Sequence, residues 1–305
     1  MATTQPGVRT LTPAQADASR QARRQSASHF WGQFALYAFA ILTAIAFSIP
    51  FFWTVSSSLK TAAEIRQVPP TFWPEEVRWL NYSDVFRLAP FARFIWNTVI
   101  ITALAMVGQI LSSAAVAFGF SRFRFPGREA LFFLLLSTMM LPWQVTIVPQ
   151  FLLFRYLNWI NTFLPLIVPS YFGGGAFFIF LLRQFFMTIP RDLDEAAKLD
   201  GASSFRVFWN IILPLSGAAL ATVAIFSFLQ HWNEFIGPLI FLNTEDKYTL
   251  SIGLRYFIDN PFESDEPREA ILMAASLIVA LPSLILFFMA QKYFVRGIAT
   301  TGLKG

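Results

Sequence analysis

The stretch Ile189-Pro190-Arg191-Asp192-Leu193-Asp194-Glu195-Ala196-Ala197-Lys198-Leu199-Asp200-Gly201-Ala202-Ser203-Ser204-Phe205, running on to Leu213-Pro214, is a charged island in an otherwise apolar chain. Asp192 followed three residues later by Glu195, with Pro190 just ahead, predicts a capping box and a short helix starting near Leu193. Gly201 is placed to end that helix in a left-handed conformation. Ser203 or Ser204 can cap a second helix that carries Phe205, Phe208, Trp209 and Ile212 on one apolar face. The expected object is a short helix, a glycine turn and a second helix that leads into a long apolar segment.

On both sides of this island the chain loses its charges. Of 305 residues, 55% are hydrophobic and 13% charged, against roughly 25% charged in a soluble domain. Six windows contain no Asp, Glu, Lys or Arg: residues 25–59, 94–121, 130–154, 156–182, 207–233 and 270–291, which are 35, 28, 25, 27, 27 and 22 residues long. A bilayer core about 30 Å thick takes about 20 apolar residues at 1.5 Å each. Each window holds one spanning helix and none comfortably holds two. The expected fold class is therefore an all-α integral membrane protein with six transmembrane helices, and the island is the connection between spans four and five.

The basic residues orient the chain. Fourteen of the 23 Lys and Arg fall on the side that carries both termini and the charged island, and the other nine lie mostly in longer loops on the opposite side. The positive-inside rule then places both termini in the cytoplasm. This distribution leaves no basic cluster suited to a nucleic-acid groove. Residues 1–28, polar and without a hydrophobic stripe, read as a disordered cytoplasmic tail. Residues 29–305 read as the six-helix membrane domain. The apolar stretch from about Phe30 to Val55 is too long for a signal-peptide core. On the outside, residues 56–93 contain Pro69, Pro70, Pro74, Trp73 and Trp79 and read as a small ordered cap. Residues 243–269 carry Glu245, Asp246, Asp259, Glu263, Asp265, Glu266 and Glu269, an acidic rim that is either solvated or meets a soluble partner.

Some chemistries are excluded, and two alternatives, an ion-coupled transporter and a membrane-embedded enzyme, have little to work with. No cysteine is present, and the two histidines, His29 and His231, are too few for a histidine metal site. No G-x-x-x-x-G-K-[ST], H-E-x-x-H or G-x-S-x-G pattern occurs. An ion-coupled secondary transporter would need carboxylates inside its spans, yet only Glu234 borders one. A membrane-embedded enzyme would have to work with His231 and Glu234 alone. The island helix also argues for a protein partner. About two turns are marginal alone in water, and a helix lying on lipid headgroups favours Lys and Arg on its polar face. This one has Asp192, Asp194, Glu195 and Asp200 around Leu193, Ala196 and Ala197, with one lysine.

The run Glu195-Ala196-Ala197-Lys198-Leu199-Asp200-Gly201-Ala202-Ser203, with Leu213-Pro214 following, resembles the EAA loop of permease subunits of bacterial ATP-binding-cassette importers. Phe125-Pro126-Gly127-Arg128, Arg183-Gln184-Phe185-Phe186, Trp232-Asn233-Glu234-Phe235 with Pro238-Leu239, and the ending from Phe294-Val295-Arg296-Gly297 to Lys304-Gly305 are similar to the carbohydrate branch, of the maltose type. The likeness covers roughly residues 30–305. Ser216-Gly217-Ala218 departs from it where a proline is common, and Asn158-Trp159 where a Gly-Leu pair is common.

The resemblance implies a type I importer permease fold and a transport subunit with no ATPase site of its own, in a prokaryotic cytoplasmic (inner) membrane. It implies a coupling loop at about 190–213 in which Glu195, Ala196, Ala197, Asp200 and Gly201 meet the ATPase, and a C-terminal tail at about 295–305 that also reaches it. The implied partners are a second permease subunit in a heterodimer, two ATP-binding-cassette ATPase subunits that hold ATP and Mg, an extracytoplasmic sugar-binding protein and membrane lipid. The chain itself is expected to hold no cofactor, and the cargo to be a di- or oligosaccharide or a related polyol or glycerol phosphate. Polar residues within spans are costly and face a cavity or a neighbouring helix. Gln144, Gln230, Asn233 and Glu234 are accordingly candidates for the substrate path, with helix-to-helix hydrogen bonding as their alternative role. Pro142 and Gly173 to Gly175 mark expected kinks or close packing.

Overall fold

A computed structural model describes the backbone of residues 13–259 and 268–301 and the side chains of residues 31–258 and 268–291. All regular structure among the described residues is helical: α1 Pro13–Ser58, α2 Ala62–Ile65, α3 Leu80–Leu88, α4 Phe91–Arg122, α5 Arg128–Ser137, α6 Trp143–Tyr156, α7 Leu164–Ile167, α8 Ala176–Thr188, α9 Asp192–Leu199, α10 Ser204–Val207, α11 Leu213–Leu215, α12 Gly217–Trp232, α13 Ile236–Phe241, α14 Leu250–Asp259 and α15 Glu269–Thr301. Four described segments are long and apolar enough to cross a membrane: Trp31–Ser58, Phe91–Arg122, Leu164–Thr188 and Glu269–Gln291. Two bent pairs raise the number to as many as six. Arg128–Met140 meets Trp143–Tyr156 at 97°, and Ser204–Leu215 meets Gly217–Trp232 at 80°.

The chain divides into two compact units at Ser56 and Ser57. In the first, the tail expected to be disordered over residues 1–28 is helical from Pro13 onward, as the start of α1. The reason is composition: beyond Pro13 the segment is rich in Ala, Gln and Arg, which favour helix, with no glycine or proline to stop it before Gly32. Residues 1–12 lie outside the described residues, as do the side chains of the C-terminal tail expected at 295–305 and the acidic residues Glu263, Asp265 and Glu266.

In the second unit α4 is central. Its 32 residues make about 48 Å of helix at 1.5 Å each. Many of its buried residues are small or polar, among them Thr98, Ala105, Gly108, Ser113, Ala114, Ala117 and Ser121. Small residues let neighbouring backbones approach, which is how helices gain packing contacts where lipid offers no hydrophobic contrast. Two apolar cores form at opposite ends of α4. One unites Ala114, Ala117 and Phe118 with Phe178, Leu182 and Phe186 of α8 and Val207, Phe208, Ile212 and Val223 further along. The other unites Phe91 and Phe94 with Val85, Trp232, Leu250, Phe257 and Ala274.

The two departures from the family pattern resolve into local geometry. Asn158 adopts φ +57°, the left-handed conformation that a glycine would supply. Its N–H donates to the Arg155 carbonyl at 3.1 Å, that of Trp159 donates to Phe154 at 2.8 Å, and the Phe154 and Trp159 rings stack 5.6 Å apart. This pair of bonds with its apolar clasp closes the end of α6. At the other departure, Ser216 is fully buried and its hydroxyl donates to the Ile212 carbonyl at 2.7 Å, at the corner where the chain bends into α12.

The connection between α1 and α4 is ordered. Thr61 and Glu64 form a reciprocal capping box on α2, and Asn81 donates to the carbonyls of Ser58 and Lys60 at 2.8 and 2.9 Å. The expected kinks are present too. The first bent pair breaks at Leu141-Pro142, and Gly173, Gly174 and Gly175 all have positive φ in the break ahead of α8.

Candidate functional site

The charged island folds as a short helix, α9, and a second, interrupted one. The expected capping box does not form: α9 starts at Asp192 with Arg191 at the cap position in helical conformation, and no side chain caps it. With the helix one residue earlier than expected, Asp192 lies inside the first turn, where Asp192, Asp194 and Glu195 sit at the positive end of the helix dipole. The far end is as expected. Gly201 has φ +82°, its N–H donates to Lys198 at 3.0 Å, and Ala202 donates to Ala197 at 2.9 Å. Ser203 then caps α10, its hydroxyl accepting from the Arg206 N–H at 3.3 Å.

The second helix divides its aromatic residues. Phe208 and Ile212, on a π-helical turn, enter the inner core, whereas Phe205 and Trp209 form the adjoining strip and stay exposed, stacked 6.3 Å apart. The single apolar face expected from spacing is therefore two strips, one buried and one outward.

α9 is likewise two-sided. Glu195, Ala196, Asp200 and Gly201 are exposed, and Leu199 next to them is 90% exposed. Ala197 faces the other way and packs on the inner core with Ala202. Asp194 is buried and pairs with Arg122, Nε to Oδ2 3.2 Å. So Ala196 and Ala197 do not share a face, and one of the four acids is turned inward. The outward face that remains combines carboxylates, a small alanine and a large uncovered leucine, which suits the cleft of another protein.

Two clamps reinforce this placement. The second arm of Arg122 donates to the Ile189 carbonyl at 3.1 Å, and Arg191 donates to the Ser121 carbonyl at 3.2 Å. On α8, Arg183 lies 4.1 Å over the Phe132 ring, a cation–π contact between α8 and α5.

The candidates for a substrate path are scattered. Gln144 on α6 and Gln230 on α12 are exposed. Asn233 is exposed and donates to its own helix at Leu229, 2.8 Å away. Glu234 accepts from the Gly237 N–H at 2.9 Å, which makes it a local cap for α13. A polar group absent from the sequence reading lies deeper: Gln109 Oε1 accepts from Ser227 at 2.6 Å and sits 2.9 Å from His231 Nε2. Gln109 occurs inside a charge-free window, and its only sequence signal was being an amide within a span.

Residues 109–300 match the family model described as "Binding-protein-dependent transport system inner membrane component". The chain belongs to this family. The permease is 36% identical over 278 residues to the "Probable ABC transporter permease protein YurM" of Bacillus subtilis (strain 168), covering 90% of this chain and 89% of that one. It is 33% identical over 241 residues to the "sn-glycerol-3-phosphate transport system permease protein UgpE" of Yersinia enterocolitica, covering 77% and 84%. In fold, the permease matches a chain of a bacterial ABC transporter involved in the import of the acidic polysaccharide alginate, with TM-score 0.77 and 24% identity, over 88% of this chain and 98% of that one. The permease is thus a transport subunit, and its described helices are arranged as in an importer.

Proposed function

We propose that this chain is one half of the membrane channel of a carbohydrate importer, carrying a di- or oligosaccharide or a related polyol or glycerol phosphate inward. The observation that carries the reading is the two-sided α9, clamped to the membrane core by Asp194 and Ala197 while Glu195, Ala196, Asp200 and Gly201 face outward. The names of the relatives, among them a glycerol-3-phosphate permease, support the cargo class.

In this reading each bent pair counts as one span, giving six, and both termini are cytoplasmic, in accord with the Lys and Arg distribution. α9 seats in an ATP-binding-cassette ATPase. Two such subunits bind ATP and Mg, because this sequence has no phosphate loop. A sister permease completes the channel, and an external binding protein, the partner in the family's own description, delivers the sugar. Closure of the ATPase dimer moves α9, and the channel alternates between outward and inward openings. Gln144, Gln230 and Asn233, all exposed, are the polar side chains offered to the cargo, and Glu234 acts by holding α13 in place.

Gly201→Asp tests the docking. The position is exposed and left-handed, with nothing within 4 Å of an added Cβ. Aspartate there places a fourth acid on the docking surface, beside Asp192, Glu195 and Asp200. Expected in proteoliposomes with all partners is assembly and basal ATP hydrolysis close to normal, with sugar uptake lost. Normal uptake would contradict the docking role of α9.

A further inference from the structure

We propose that Arg122 and Asp194 are positioning residues that make α9 and the end of α4 move as one body, so that α4 is the helix through which displacement of α9 enters the membrane core. The proposal rests on the coupling role of α9 given above. Arg122 is the last residue of α4, and its side chain is 5% exposed against 10% for Asp194. Its guanidinium is forked. One arm holds the Asp194 carboxylate in the first turn of α9, and the other holds the Ile189 carbonyl at the end of α8. Arg191 returns the contact to Ser121, so the last two residues of α4 grip the start of α9 from both sides. A cavity of about 70 Å³ lies behind this joint, lined by Phe118, Arg122, Phe123, Asp194, Lys198 and Val207.

Two features distinguish the pair from an ordinary surface bridge. Both side chains are little exposed, so water screens the pair weakly and loss of one charge leaves the other poorly compensated. Neither Asp194 Oδ1 nor Arg122 Nε has a hydrogen-bond partner among the described residues, so the two side chains are joined by charge attraction, Nε to Oδ2 3.2 Å. The opposite end of α4 is tied just as specifically. Asn97 donates to the carbonyls of Asp246 and Tyr248 at 3.0 and 2.9 Å, and the Thr98 hydroxyl accepts from the Leu250 N–H at 2.8 Å. A push on α9 therefore reaches the segment before α14 through one continuous helix. The link from α9 back to α8 has no such pair of charges and passes through the short Ile189-Pro190-Arg191 connection.

The test uses the complete transporter in proteoliposomes and reads ATP hydrolysed per sugar imported. Asp194→Asn and Arg122→Gln remove one charge each from the pair. The expected result is that the two pair variants raise the ratio about fivefold or more, with the quantity of assembled transporter near normal. Assembly with an unchanged ratio overturns the proposal. If neither pair variant assembles, a cross-link decides. The chain has no cysteine, so Phe123→Cys with Lys198→Cys, on either side of the cavity, can be joined by a short bis-maleimide. Transport that survives joining supports movement as one body, and transport blocked only after joining overturns it. Failure of the underlying reading looks different: Gly201→Asp would then import sugar normally, whereas failure of the joint alone leaves Gly201→Asp uncoupled and Asp194→Asn coupled.

Discussion

Gly174 shows how little space the centre of the protein leaves. Its φ is +55°, and an added Cβ would lie 1.9 Å from the Ser113 hydroxyl oxygen and 2.7 Å from the Gln109 carbonyl. Gly173, with φ +92°, has nothing within 4 Å. Gly174→Ala should therefore combine backbone strain with overpacking and cost about 2–4 kcal/mol. Gly173→Ala meets the backbone strain alone, about 1–2 kcal/mol. Thermal unfolding in detergent checks the order, and equal losses would contradict the close approach of Gly174 to the Gln109 backbone. At this scale the sequence was partly legible. Gly201 could be placed because a glycine after a polar helical run has a known use. The inward turn of Asp194 could not, because it depends on Arg122, seventy-two positions earlier, which looked like one more orienting charge. Glu234, a candidate for the substrate path, also makes a local bond, accepting from the Gly237 N–H at the start of α13.

Helix ends carry the next level of specification. α6 closes on Asn158, the commonest substitute for glycine in a left-handed cap, with the Phe154 and Trp159 rings clasped across it. Asn158→Ala should lower stability by about 1 kcal/mol, and Asn158→Gly should be neutral or slightly stabilising. A chemical or thermal melt of the detergent-solubilised protein distinguishes them, and alanine matching asparagine would contradict the cap. Charge-free windows overlap every segment able to cross a membrane, because the cost of burying charge in lipid is large, but they miss the apolar α13. They could not show that two of these elements bend by 97° and 80°, since a bend at Pro142 or Ser216 leaves composition unchanged. Nor could the windows reveal that Phe205 and Trp209 face away from Phe208 and Ile212, which follows from which strip the inner core covers. The helix through Pro13–Ser58 was missed at its start because a polar segment without an apolar stripe can still be helical when its residues favour helix.

At the scale of the whole molecule, one long helix spans two separate cores. The one at the C-terminal end of α4 gathers α4, α8 and the segments after α9, and the one at its N-terminal end gathers α3, α4, α14 and α15. That division suits a device in which the two ends open in turn, since each end can repack without dismantling the other. The docking surface on α9 is outside both cores and has only Ala197 and Asp194 committed inward. In the proposed reading, energy comes from a partner seated on that surface. The most direct measurement is the initial rate of sugar uptake in proteoliposomes that contain the permease, its sister subunit, the ATPase and the binding protein. ATP hydrolysis is blocked in one arm and ion gradients are collapsed in the other. The account predicts that uptake stops when hydrolysis is blocked and continues at its normal rate without ion gradients. Uptake that persists without hydrolysis and fails when the gradients collapse would contradict it.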